Sequence, residues 1–312
     1  MGTAANRMLW PPPRGSLLDQ GPRILEGNPI GIVPISWRPP PSDLDAFLSD
    51  LRRVGYDGVQ LGDTFPRGPE LRALLSDHEM RLAEVYAALP CGPDGPAEDA
   101  LAQGRARLDL LEGGEGDVMV VALAGTADRE RWAGRSDLDR APGLTEEGWA
   151  ALARVLSVLA AEVADSGRTM AFHPHSGTYV ESPAEVERLL DVTADSNIGI
   201  CIDTGHDLVG GGDPAETLAR IGARLRHVHL KDVDPRVLSE MREQGGLDRA
   251  IERRVFAPIG SGILDLASVL THLADTGYQG WIMVEQDTSW EPPLEAAAIS
   301  RRVLDWAQRH LA

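Results

Sequence analysis

The sequence predicts a single (β/α)8 barrel, and three observations carry that expectation. From residue 30 onward, eight short β-branched runs alternate with eight longer amphipathic stretches. The last four runs end in histidine or acidic side chains, the position where such barrels place their chemistry. The turn after the first run reads Pro34-Ile35-Ser36-Trp37, without the glycine-rich phosphate fingerprint usual in an open doubly wound sheet.

Taken in order, the first strand is expected at 30–36 and its helix at 43–54, with Ser42 as the N-cap. A strand at 58–61 precedes a helix at 69–77, and a strand at 82–88 precedes a helix at 97–111. The apolar run 118–124 is followed by a long connection, 125–143, and then by a helix at 146–164 capped by Thr145. Strand 170–175 leads to helix 183–192, opened by Ser182-Pro183, and strand 198–203 leads to helix 214–221, opened by Asp213-Pro214. Strand 226–231 is followed by the connection 233–262, expected to contain a short helix, and by helix 264–275. Strand 281–286 and helix 294–311 complete the set. Residues 1–28, rich in proline and glycine and without sustained period, read as a poorly ordered extension or arm, which leaves 29–312 as the barrel domain.

Thirty basic against 48 acidic residues give a net charge of −18, which repels phosphate backbones and anionic membranes and disfavours nucleic acid as a partner. With 43% hydrophobic and 25% charged residues, the chain can bury a substantial core. The only cysteines, Cys91 and Cys201, form no CxxC and no secreted framework, and no apolar run approaches the roughly 20 residues that span a bilayer. A reducing cytoplasm is the expected compartment. Homo-oligomerisation stays open.

The polar strand ends are His173-Pro174-His175, Asp203-Thr204-Gly205-His206, His227-Val228-His229-Leu230-Lys231-Asp232 and Glu285-Gln286-Asp287. Strand alternation places His173 and His175 on one face, and His227, His229 and Lys231 on one face. Burying Asp203 and Glu285 among apolar neighbours is costly unless a cation or hydrogen bonds compensate, and imidazole with carboxylate suits a divalent metal. His227 and His310 adjoin charged faces expected to be exposed and receive no role. His78 and His272 read as helix-surface residues and Cys201 as barrel packing. Asp287 either assists Glu285 or starts the following loop. Trp37, ending the first strand, is a candidate apolar wall for substrate or a packing residue.

The motifs DTGH at 203–206, HVHLKD at 227–232, GSG at 260–262 and VEQD at 284–287 resemble the xylose-isomerase-like sugar isomerase/epimerase superfamily. GIVPISW at 31–37 and TFPRGPEL at 64–71 resemble its inosose dehydratase branch. The resemblance implies one divalent metal, commonly manganese or cobalt, with magnesium and zinc also compatible. It implies Asp203, His229 and Glu285 as ligands and His206 as a substrate contact. At the fifth strand, where isomerases and epimerases of the superfamily usually carry glutamate, this chain has His173 in an HPHSGT run similar to the histidine-rich segment of the dehydratases, which makes His173 the fourth ligand.

The expected reaction is therefore dehydration of a keto-polyol or cyclitol ketone through a metal-stabilised enolate, with His206, His175, Glu285 and Lys231 as the acid–base and substrate-contacting groups. Three alternatives stay open. A keto-sugar isomerase or epimerase would use the same metal. A non-catalytic polyol-binding subunit would keep the pocket. A repair nuclease of the endonuclease IV type would need more metal ligands and a basic groove, against the net charge of this chain.

Overall fold

The structure is a computed structural model that describes residues 25–138, 140–288 and 291–310. Eight parallel strands close into a barrel: β1 (Ile30–Val33), β2 (Gly58–Gln60), β3 (Arg81–Leu89), β4 (Val118–Leu123), β5 (Thr169–Phe172), β6 (Gly199–Asp203), β7 (Leu225–Leu230) and β8 (Ile282–Glu285). They pair in the order β1-β8-β7-β6-β5-β4-β3-β2, so every predicted strand is present and sequence neighbours are spatial neighbours. The barrel helices are α1 (Leu44–Val54), α2 (Gly68–Asp77), α3 (Ala100–Gly113), α4 (Glu146–Asp165), α5 (Pro183–Val192), α6 (Pro214–Ile221), α7 (Leu266–Asp275) and α8 (Pro293–His310).

Side-chain alternation divides the core into two layers. Ile200, Ile202, Val228, Leu230, Ile282 and Val284 face outward under the helices, while Ala171, Cys201, Trp281 and Met283 fill the barrel lumen. Trp281 plugs the lower end, where Arg81 stacks on its ring at 4.4 Å and Asp117 accepts its indole N–H at 2.7 Å. Gly58 makes room for this plug, because a Cβ there would lie 2.5 Å from the Trp281 ring. Each such apolar side chain removed from water contributes roughly 1.5–3 kcal/mol.

Local chemistry sets the boundaries. Thr145 and Asp213 cap α4 and α6 with their side-chain oxygens, and Ser182 forms a reciprocal capping box with Glu185 on α5. Asp43, not Ser42, caps α1: its carboxylate accepts the Ala46 N–H at 2.9 Å. Strand five ends at Phe172, before the expected 175, because Pro174 has no N–H to continue a ladder. His173 and His175 accordingly lie in the loop above β5, and their placement does not come from strand alternation.

The 125–143 connection contains a one-turn helix, Ala127–Glu130. The 233–262 connection holds two helices, Pro235–Gln244 and Leu247–Glu252, over a two-residue antiparallel ladder pairing Asp232–Val233 with Phe256–Ala257. A further helix, Thr204–Gly210, starts directly at the end of β6.

At the N-terminus, residues 1–24 of the expected extension lie outside the described residues. Leu25 is buried, and the Asn28 amide donates to the carbonyls of Tyr278 and Gly280 beside the start of β8. Among the described residues no helix is long and apolar enough to cross a membrane.

Candidate functional site

The site is built at the C-terminal mouth of the barrel from the ends of β5 to β8. Register places Asp203 opposite His229 and His229 opposite Met283, so Glu285 sits one layer above them. His173, Asp203, His229 and Glu285 each present one donor atom, all mutually within 4.8 Å, and all four residues are buried. His175, His206 and Lys231 border this group, with ring centroids of His175 and His206 3.7 Å apart and those of His173 and His206 5.5 Å apart. Trp37 packs edge-on against Phe47 at 5.3 Å and lines a small cavity with Ser36, Val284 and Gln286.

Hydrogen bonds orient the donors. The His173 Nδ1–H donates to the Pro174 carbonyl at 2.7 Å, which leaves Nε2 as a free lone pair 3.8 Å from Asp203 Oδ2. Asp203 divides its two oxygens: Oδ1 caps the Thr204–Gly210 helix by accepting the His206 N–H at 2.8 Å, while Oδ2 is buried with no hydrogen-bond partner. That orphan oxygen, facing two imidazoles and Glu285, fits a divalent cation, because two imidazoles and two carboxylates form a borderline-hard donor set once His229, whose pKa is raised against burial by the neighbouring carboxylates, gives up its proton on binding the ion.

Lys231 is the charged neighbour of this set. Its stem crosses the first turn of the Thr204–Gly210 helix, where Gly205 is required: a Cβ there would meet Lys231 Cγ at 2.6 Å. The ammonium lies 2.9 Å from Glu285, 2.8 Å from Asp287, 3.5 Å from Asp203 and 3.1 Å from His206 Nε2. Since Lys231 can only donate, His206 accepts at Nε2 and carries its proton on Nδ1, which donates to Ser176 Oγ at 2.8 Å. Phe256, from the loop insertion, closes over both: its ring centroid is 4.5 Å from Lys231 Nζ and 5.1 Å from the His206 ring.

These surroundings set the charge states. Burial lowers His173, His175 and His206, helped by the positive charge of Lys231 and, for His173 and His206, of His229, so all three are neutral near pH 7. Burial works against the Lys231 ammonium, but Asp203, Asp287 and Glu285 raise it well above its ordinary value. Glu285 is held well below the carboxylate range despite burial, by Lys231 and His229. Asp203 is pushed up to about 6, by burial first and Glu285 next, against the attraction of Lys231.

Residues with no assigned role also enter the site. His227, expected on an exposed face because of its charged neighbours, is fully buried: Arg226 points outward and alternation turns His227 into the lumen. It hydrogen-bonds Glu84, which also accepts from His229 Nε2 at 2.9 Å. Glu84 and Ser176 had no sequence signal beyond a polar letter inside an apolar run or a loop. Asp287 pairs with Lys231, and Cys201 packs in the lumen. The Gly260–Gly262 segment is held by Asp232, whose carboxylate accepts the N–H groups of Gly260, Gly262 and Leu264, each at 2.9 Å.

A metal-competent donor set at the mouth of a closed parallel barrel defines a class of TIM-barrel proteins. Residues 48–310 match the family described as Xylose isomerase-like TIM barrel, and the chain belongs to it. It is 34% identical to the rhizopine catabolism protein MocC of Rhizobium meliloti over 290 residues, covering 88% of this chain and 87% of that one. It is 32% identical to inosose dehydratase of Geobacillus kaustophilus over 296 residues, covering 90% and 95%. Among solved structures, 3-keto-D-glucoside 4-epimerase YcjR from E. coli superposes with a TM-score of 0.66 at 18% identity, covering 90% of this chain and 98% of that chain.

Proposed function

We propose that the protein is a divalent-metal-dependent dehydratase of a cyclitol ketone or related keto-polyol. Relatives named inosose dehydratase support the substrate class. The observation that carries the reaction type is the 3.1 Å contact between His206 Nε2 and Lys231 Nζ beside the donor set. His173, Asp203, His229 and Glu285 would hold the cation, which when bound supplies electrophilic polarisation of the ketone and its neighbouring hydroxyl.

Neutral His206 takes the proton from the carbon next to the carbonyl, and cationic Lys231 gives its proton to the departing β-hydroxyl, which leaves as water. His206 then returns its proton to Lys231 across their hydrogen bond, so the pair is restored without an external acid or base. His175, neutral and packed at a tilt against His206, and Trp37, at the rim, are assigned as substrate contacts. The donor set accommodates manganese, cobalt, magnesium or zinc.

Incubation with a panel of inososes and ketohexoses in deuterated water, read by mass spectrometry, tests this reading. The expected product is one water lighter than its substrate. A product of unchanged composition carrying deuterium at one carbon would establish an isomerase or epimerase using the same site. Metal retention without turnover of any ketone would make the chain a polyol-binding subunit.

A further inference from the structure

A second cluster lies directly beneath the donor set. Glu84 projects into the lumen because β3 carries a bulge: Val59 pairs with Leu82 but Gln60 pairs with Glu84, so Ala83 is the extra residue. Leu82 and Val85 face the helices, whereas Ala83, Glu84 and Tyr86 face inward. The Glu84 carboxylate is fully buried, and a single oxygen, Oε2, accepts from both His227 Nε2 and His229 Nε2, while Oε1 has no partner. On the other side of its ring, His229 Nδ1 faces Glu285 Oε2 at 2.7 Å and Asp203 Oδ2 at 3.8 Å.

We propose that Glu84 is a positioning residue for the metal site: by taking the Nε2–H of His229 it fixes the ring orientation and the tautomer that leaves Nδ1 for the cation, with His227 as a strut on the same oxygen. The inference rests on the metal-site reading above. A carboxylate behind a ligating imidazole raises its basicity and removes its rotational freedom. The alternative, a second cation held by Glu84, His227 and His229, would require His229 to ligate through both nitrogens, whereas both Nε2 atoms lie at hydrogen-bonding distance from an oxygen that already binds them.

The test is Mn2+ titration of the full chain, followed by the paramagnetic signal of the free ion, for wild type and Glu84→Gln. The expected result is one Mn2+ per wild-type chain and affinity weakened roughly 10–100-fold in the variant. Should Glu84→Gln fail to fold, 15N-histidine spectra of the Zn2+-loaded wild type decide, and His229 should be protonated at Nε2 and metal-bound at Nδ1. Ligation through Nε2, two ions per wild-type chain, or unchanged affinity in a folded variant overturns the role of Glu84 and leaves the donor-set reading standing. Absence of any bound ion on the wild type overturns both.

Discussion

Replacing Asp203 with asparagine separates the two functions of this side chain. Asparagine keeps an Oδ1 acceptor for the His206 N–H, so the cap of the Thr204–Gly210 helix survives, but the negative charge is lost. In the metal-free protein that charge is a burden: burial foremost, then Glu285, raises the carboxyl from 3.8 to about 6 in spite of Lys231. The folded state therefore binds the proton more tightly than the unfolded chain, and stability falls as pH rises from the unfolded to the folded value, remaining lower above it. A shift of roughly two units corresponds to ~3 kcal/mol at 1.36 kcal/mol per unit. Lys231 keeps Glu285 and Asp287 as partners in the variant.

With chelator present at about pH 8, the asparagine variant should be more stable than wild type by ~3 kcal/mol, a rise in Tm of roughly 5 °C, and the difference should vanish near pH 4. Adding Mn2+ should reverse the order. A folded-state ligand at about 1,000 times its Kd stabilises by about 4.1 kcal/mol, more than the variant's advantage, and wild type should gain this while the variant gains little. Thermal unfolding with and without metal at both pH values reads all of these quantities. A variant less stable than wild type in chelator at the higher pH would refute the buried-charge argument, and an undiminished metal gain would remove Asp203 from the ligand set.

Lys231→Met should lower kcat by roughly 100-fold or more while leaving Mn2+ affinity no weaker than wild type, because the proton donor and a competing cation are removed together; loss of metal binding would make Lys231 a scaffold instead of an acid. Arg129→Met should cost about 3–5 kcal/mol in urea unfolding, since this buried guanidinium donates to the carbonyls of Thr178 and Pro142 and to Glu185; a loss under about 1 kcal/mol would refute that account. Gly205→Ala should depress kcat with the barrel intact by circular dichroism, as the added Cβ pushes the Lys231 stem aside; wild-type turnover would show that Lys231 has slack.

What the sequence by itself determined is the barrel and the chain positions of its polar strand ends, because both depend on local periodicity. Apolar alternation in β6, β7 and β8 directs Cys201 and Asp203, His227 and His229, and Met283 and Glu285 inward without reference to any other segment. Only the tertiary structure decided which of these side chains meet, and through which atoms. Pro174 ended β5 early, so His173 reaches the cluster from a loop held by its own Nδ1 hydrogen bond, an outcome strand parity cannot supply. Arg226 made its neighbour His227 look solvent-facing, although one step along a strand reverses the face. Glu84 was hidden for two reasons: a bulge, formed by pairing between β2 and β3, resets its direction, and its partners lie 143 and 145 residues away. The role of a buried carboxylate is set by its partners, and the closure of the barrel is what brings those partners together.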